Sequence, residues 1–336
     1  MVITMNNNLN SSFFNNKRIL ITGATGFIGW NLINVLSKFD CTIICFSRNS
    51  QKDELINNNA KFEFITSDYQ DEDKINQVVK NIDIIYHLAA QTSLYDAEKD
   101  PLLNYEANVK PMQLILEACR YQQKCPTIIF SATSTQCGLV QKLPINELVK
   151  DDPISFYDFN KLQSENLLKY YTKKGWVNGV SLRLTNVYGP GPKSSSADRG
   201  ILNFMIKKAL NGEDLTVYGS GEKIRDYVYI EDVVEVFIKS AYIINEIKGM
   251  HIILGSGTPT TIKDAVNIVA DSTSTVIKKN INVVQVDIPK TYHEIENRNF
   301  VSDITLLRSK KMLSKICSLK NGIDLTINYY MNREKS

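Results

Sequence analysis

An α/β protein, built on a doubly wound parallel sheet and completed by a smaller C-terminal α/β domain, is what this 336-residue sequence predicts. Three observations carry the prediction. Short β-branched runs alternate with segments of helical apolar spacing through the first half of the chain, the pattern of consecutive βα units. Runs such as CTIICF at 41–46 are continuously apolar, as a strand buried on both faces must be. The first βα unit turns on three glycines, GATGFIG at 23–29.

That first unit, KRILITGATGFIGWNLINVL at 17–36, passes from an apolar strand through the glycine turn into a helix with apolar residues at Ile28, Leu32, Val35 and Leu36. Glycine lets the backbone turn tightly and approach a ligand without a Cβ in the way. The N–H groups that open a helix, together with its dipole, then attract a phosphate. Gly23, Thr25, Gly26, Phe27, Ile28 and Gly29 are therefore candidate ligands of a dinucleotide pyrophosphate. Strands follow at 41–46, 62–66, 82–88 and 127–131, with helices near 71–80 and 105–121 between them. Short right-handed crossovers between such units give the Rossmann-type arrangement, whose ligands bind at the carboxyl ends of the strands.

Composition narrows the classes. With 43% apolar and 22% charged residues the chain has the make-up of a soluble globular protein. A net charge of +3 is too small to point to nucleic acid or an anionic membrane. Six cysteines, at 41, 45, 119, 125, 137 and 317, form no CxxC pair, and three histidines, at 87, 251 and 293, lie far apart. Reduced thiols in a cytoplasmic protein without a metal site are expected. No apolar run reaches the ~18 residues of a membrane helix. Residues 1–16, rich in Asn, read as a disordered tail and not as a signal peptide. The expected division is 17–180 for the dinucleotide-binding domain and 181–336 mainly for a substrate domain, with some segments returning to the sheet.

At the end of the second strand a dinucleotide fold commonly places a carboxylate against the adenosine ribose. Here Ser47 and Arg48 hold that place. An arginine grips a 2′-phosphate that a carboxylate would repel, which favours NADP(H) over NAD(H). Further on, YDFNK at 157–161 opens a helix, and a spacing of four stacks Tyr157 and Lys161 one turn apart. An ammonium ~5 Å from a phenol, at an effective dielectric near 20, favours the phenolate by roughly 3 kcal/mol. Tyr157 is thereby a candidate acid/base and Lys161 the residue that tunes it.

The glycine turn, Asp68, HLAAQ at 87–91, the hydroxyl-rich FSATSTQCG at 130–138 and YxxxK follow one another in an order that resembles the extended short-chain dehydrogenase/reductase family, within its nucleotide-sugar epimerase/dehydratase group. The resemblance implies that Asp68, with Tyr69, meets the adenine, and that Leu88, Ala89, Ala90 and Gln91 bring backbone close to the cofactor. His87 is read as a packed sheet residue. Alignment on Gly138 makes Thr133 the hydroxyl that bonds the reacting oxygen, with Ser134 beside it on the substrate side and Ser131 or Ser134 as the fallback. Sugar dehydratases carry Thr-Asp-Glu where this chain has Thr133-Ser134-Thr135, so elimination chemistry is disfavoured. Cys137 stands where the family usually has tyrosine.

Beyond residue 180, SLRLTNVYGP at 181–190 resembles the family's RxxNVYGP and implies that Asn186 binds the sugar-nucleotide diphosphate. LTVYGSGEKIRD at 215–226 places Arg225 on the same diphosphate, and Arg298 resembles a second such arginine. The loops at 92–96, beginning with Thr92, and at 193–199 are expected to shape the sugar pocket. A helix is expected at 201–210, and Asp232 and Thr261 read as helix N-caps, the latter within a T-x-x-D variant of the capping box. These implications amount to a nucleotide-sugar 4-epimerase working through a transient 4-keto sugar. The alternatives are an NADPH-dependent reductase of a 4-keto-6-deoxy sugar, a dehydratase or decarboxylase, and a non-catalytic binding protein on the same fold. A homodimer through the helices around 105–121 and 157–174 is the family's expectation.

Overall fold

The computed structural model describes residues 11–49, 59–192, 200–290 and 292–333. In chain order the strands are β1 (Arg18–Thr22), β2 (Thr42–Ser47), β3 (Lys61–Thr66), β4 (Ile84–His87), β5 (Thr127–Thr133), β6 (Asn178–Leu184) and β7 (Asn186–Tyr188). They continue with β8 (Leu215–Tyr218), β9 (Ile224–Arg225), β10 (Tyr227–Tyr229), β11 (His251–Leu254), β12 (Thr260–Thr261) and β13 (Val283–Val286). Helices α1 (Phe27–Leu36), α2 (Glu72–Val78), α3 (Leu94–Lys99), α4 (Pro101–Asn108), α5 (Lys110–Arg120) and α6 (Phe156–Lys173) belong to the first half. The second half adds α7 (Ile201–Leu210), α8 (Ile230–Tyr242), α9 (Ile244–Ile247), α10 (Ile262–Ile277), α11 (Thr305–Ser309) and α12 (Leu319–Arg333).

Seven parallel strands form one sheet in the order β11-β6-β5-β4-β1-β2-β3. Because side chains alternate along a strand, β1 sends Ile19 and Ile21 to one core and Leu20 to the other. The first core joins the sheet to α1 and α8 through Leu32, Val35, Val233 and Phe237. On the opposite face α2, α5 and α6 contribute Ile75, Met112, Leu116 and Leu168. The predicted doubly wound sheet is therefore present, and β11 returns to it from the second half of the chain.

The remaining strands pair in twos, β7 with β10, β9 with β12 and β8 with β13. Helices α7, α10 and α12 pack against them and one another. A hub ties this half together: the buried Asp226 carboxylate accepts from the backbone N–H groups of Ser256, Gly257 and Ser302 and from both serine hydroxyls. A second latch joins the halves, where the Asn31 amide of α1 donates to the Pro190 carbonyl at 3.0 Å.

Three local expectations are corrected. The single helix expected over 105–121 starts earlier and is broken into α4 and α5, because Pro111 lacks an N–H and clashes with the preceding turn. The disordered tail expected over 1–16 does not hold for its last part: residues 11–14 form a 3-10 turn, Phe14 is buried, and Phe13 stacks edge-on against Tyr242, while 1–10 lie outside the described residues. Asp232 lies inside the first turn of α8 and not at its cap, and its carboxylate holds the Cys317 N–H at 3.0 Å. Thr261 does cap α10, accepting from the Asp264 N–H at 3.0 Å. The 193–199 loop lies outside the described residues.

Candidate active site

In the sheet the strand order switches from one side to the other between β1 and β4, which run parallel, the point at which α/β sheets open a crevice at their carboxyl ends. The glycine turn leaves β1 there. A Cβ on Gly23, whose φ is +72°, would stand 2.9 Å from the Ala89 amide nitrogen, and one on Gly29 would stand 2.4 Å from the Gly23 carbonyl. Only glycine permits this approach of the β1 turn to the end of β4. Helix α1 then begins at Gly26 with no side-chain cap and no acidic residue in its first turn, leaving its N–H groups and positive dipole end directed at the crevice. Thr22 supports the arrangement: its hydroxyl accepts from the Leu88 and Ala89 N–H groups and so gives its own hydrogen to His87 Nδ1 at 2.8 Å. Burial lowers His87 to about 3, which leaves a neutral ring with its hydrogen on Nε2, packed on Phe130.

A cavity of about 910 Å³ runs from this turn to the second half of the chain. Gly23, Thr25, Gly26, Phe27, Ile28, Gly29, Arg48, Tyr69, Leu88, Ala89 and Ala90 line one end. Thr92, Thr133, Tyr157, Lys161, Asn186, Arg225 and Arg298 line the rest. Ser47, Asp68, Gln91 and Ser134 do not line the cavity, and Asp68 is exposed. The Ser47 hydroxyl is turned onto the Asn49 carbonyl at 2.6 Å, Asp68 accepts from the Gln70 N–H at 2.9 Å, and Gln91 bonds Ser93 and Asn104. Ser131, the fallback hydroxyl, also reaches the cavity.

Tyr157 and Lys161 face the cavity from the first turns of α6, which Ser155 caps by accepting from the Asp158 N–H at 3.1 Å. Lys161 is buried with its ammonium 4.2 Å from the Phe130 ring centroid. Burial lowers it to about 7, with Glu165 opposing the shift. The phenol of Tyr157 is pushed above its ordinary value, first by burial and then by the Asp158 carboxylate, while the Thr133 hydroxyl that faces it works the other way. This is opposite to the direction expected from the Tyr-Lys spacing. Burial removes much of the ammonium's charge near neutrality and disfavours the phenolate directly, and the Asp158 carboxylate adds to the shift.

In the second half, the Arg225 fork is not directed at the cavity as expected for a bidentate diphosphate grip. One terminal nitrogen donates to the Ile224 and Arg298 carbonyls and the other to the Glu296 carbonyl and carboxylate. Arg225 thus clasps the 296–298 segment and carries Arg298 to the cavity wall. Asn186 is held by its amide on the Asp226 carbonyl at 3.0 Å. Asp226, Asp158, Thr135 and Glu296 were not foreseen as residues of the site. Only the Asp that follows Arg225 at a strand junction offered a signal.

A profile of the NAD dependent epimerase/dehydratase family matches residues 19–254, well over half of the chain. The chain belongs to that family. Among its relatives is a putative UDP-glucose 4-epimerase of Methanocaldococcus jannaschii, 27% identical over 95% of this chain and 100% of its own. A UDP-glucose 4-epimerase of Thermotoga maritima, solved with UDP-glucose, superposes with a TM-score of 0.81 at 26% identity, covering 94% of this chain and 99% of that one. The UDP-N-acetylglucosamine 4-epimerase of Methanobrevibacter ruminantium has the same fold, with a TM-score of 0.83 at 24% identity and coverage of 95% and 99%.

Membership brings a nicotinamide dinucleotide, and the crevice fits one. An uncapped, acid-free helix start meets a backbone cradle that any Cβ on Gly23 or Gly29 would fill. Cys137, at the family's tyrosine position, is buried beside Ile145, Ile253 and Phe300, with its thiol on the Ser134 carbonyl at 2.9 Å. Burial pushes that thiol up to about 11, which makes it packing and not a nucleophile. Among the described residues no helix is long and apolar enough to cross a membrane.

Proposed function

We propose that this enzyme is a nucleotide-sugar 4-epimerase that works through a transient 4-keto sugar. The observation that carries the reading is the convergence of Thr133, Tyr157 and Lys161 on the cavity that also holds the glycine turn and Arg298. The dinucleotide, when bound, supplies a hydride acceptor and donor. The turn of Gly23, Thr25, Gly26 and Gly29 and the open helix start at Phe27 and Ile28 would hold its pyrophosphate, and Tyr69, Leu88, Ala89 and Ala90 would contact the rest of it. Tyr157 takes the proton of the sugar hydroxyl and returns it, Thr133 orients that oxygen, and Lys161 supplies positive charge one turn away. Asn186 and Arg298 hold the diphosphate, with Arg225 bracing Arg298. The first part of the chain binds the cofactor and the part after β6 the sugar nucleotide.

A second reading, a 4-keto sugar reductase, is favoured by one observation: Arg48, and no carboxylate, lines the cavity where the adenosine ribose is expected, with its guanidinium 6.0 Å from the Tyr69 ring centroid. The same observation favours NADP(H) over NAD(H). Mass spectrometry of the cofactor released on denaturing one sample, and incubation of a second, native sample with UDP-glucose, UDP-galactose and their N-acetyl counterparts, decide between the two. Retained cofactor together with interconversion of a 4-epimer pair supports the epimerase. An empty protein that binds NADPH over NADH and interconverts neither pair moves the assignment to the reductase.

Leu102, Leu103 and Tyr105 on α4 and Phe156, Phe159 and Tyr170 on α6 are exposed, and this apolar surface supports a homodimer through these helices, which light scattering tests. Six unpaired cysteines suit a reducing cytoplasm.

A further inference from the structure

Behind Thr133 a row of polar groups, Thr135, Asp158 and Ser155, continues away from the cavity, and the proposed chemistry does not use it. Thr133 stands within hydrogen-bond reach of the phenol, where a hydrogen given to it would favour the phenolate. Its Oγ1 is 2.7 Å from Thr135 Oγ1, and Thr135 in turn bonds the Asp158 carboxylate at Oδ1. The other carboxylate oxygen accepts from the Ser155 hydroxyl at 2.6 Å. Asp158 is buried and follows Tyr157 directly in the chain, on the first turn of α6. Of its neighbours, Ser155 comes from its own helix cap and Thr135 from the turn after β5, while Arg298 and His293 face it from the 293–298 segment and Cys137 from beyond the turn.

Each threonine has one hydrogen to give. An ionised carboxylate only accepts, so the Thr135 hydrogen is committed to Asp158. Thr135 can then serve Thr133 only as an acceptor, which commits the Thr133 hydrogen as well. The chain has one direction, away from the cavity. We propose that Asp158 is a positioning residue for Tyr157: through Thr135 it turns the Thr133 hydrogen inward, so that Thr133 offers the phenol and the reacting oxygen a lone pair and no proton, and Tyr157 is held in its phenol form. Protonation of Asp158 reverses the row: Asp158 donates to Thr135, Thr135 to Thr133, and Thr133 toward the cavity, with no net proton gained or lost by the hydroxyls. The inference rests on the reading of Tyr157 as the acid/base, but it concerns the phenol's ionisation and not the sugar.

The test therefore uses no substrate. A fluorinated tyrosine placed at position 157, which ionises in an accessible pH range, is titrated by fluorine NMR in the otherwise intact protein and in three variants. Asp158→Asn should lower the pH of phenol ionisation by about one unit or more, since a like charge within ~4–6 Å shifts a group by that order. Thr135→Val, which leaves the charge but cuts the row, should give a smaller shift in the same direction, because Thr133 regains a hydrogen for the phenolate. Thr135→Ser should restore the original value. An unchanged ionisation in folded Asp158→Asn, or in folded Thr135→Val, overturns the proposal. Should Asp158→Asn not fold, the valine and serine variants decide alone. If no sugar nucleotide is turned over, the epimerase reading fails while these titrations still stand or fall by themselves.

Discussion

Helices α6 and α8 cover opposite faces of one sheet, yet they bury opposite kinds of residue. The inward side of α8 is mostly apolar, with Val233, Val234, Val236, Phe237, Ile238 and Ala241 buried and Asp232 and Ser240 the polar exceptions. That of α6 carries Asp158, Asn160, Lys161, Ser164 and Glu165, and only Leu168 and Tyr171 of comparable size and apolarity. Burying such groups is costly unless each is paired. Glu165 is paired with Arg183 at 2.7 Å, Asn160 with Asn104 at 2.7 Å and Ser164 with the Asn108 carbonyl at 2.9 Å. One helix is therefore chiefly an element of stability, whereas the other is a scaffold whose paired polar inner face supports Tyr157 and Lys161 at the cavity.

Substitutions on the two helices should separate these roles. The largest effect is expected from Tyr157→Phe on α6: turnover should fall by about three orders of magnitude, the scale of a lost general acid/base. Cofactor affinity and thermal stability should stay near those of the native protein. Measured kcat and melting curves check this, and unimpaired turnover would remove Tyr157 from the chemistry. On α8, Phe237→Ala should do the reverse, costing about 3 kcal/mol in denaturant unfolding, with near-native turnover per folded molecule.

Lys161→Met should reveal the cost of the polar face directly. Lys161 ionises near 7 in the fold against 10.5 in the unfolded chain, so between those values the unfolded state binds the extra proton and stability rises with pH. Below about pH 7 both states are protonated and the native protein carries the full penalty. Methionine should flatten the rise above pH 7 and stabilise the protein below it by about 2 kcal/mol, less than the full shift implies because Phe130 already attends the ammonium. A native stability curve that is level between pH 7 and 10 would show that Lys161 is better solvated than the structure indicates. The smallest effect is expected from Arg48→Ala, far from both helices: about tenfold weaker NADP(H) binding by calorimetry, with NAD(H) binding changed less. Equal losses for both would end the case for NADP(H).

The contrast between α6 and α8 also explains what the sequence disclosed. Local signals were sufficient for the glycine turn, the βα alternation, YxxxK and the Thr261 cap, because each is written within a few adjacent residues. Pro111 marks the break between α4 and α5, but the apolar spacing runs on across it and masks that signal. Other features depend on residues distant in the chain. Arg225 meets the 296–298 carbonyls across some 70 positions, as the separations in its hydrogen bonds show, and no spacing rule reports that its fork is occupied. The direction of the Tyr157 shift was missed for the same reason: the burial and the Asp158 charge that set it come from the packed structure and outweigh a lysine known from the sequence alone.

The Asp226 hub has a consequence for anyone reshaping the sugar pocket. One carboxylate holds the backbone at Ser256, Gly257 and Ser302 while its neighbour Arg225 holds 296–298. These loops are thus not separate modules. A graft from a relative that replaces one of them must bring the matching residues of the others, or it will leave buried donors without an acceptor.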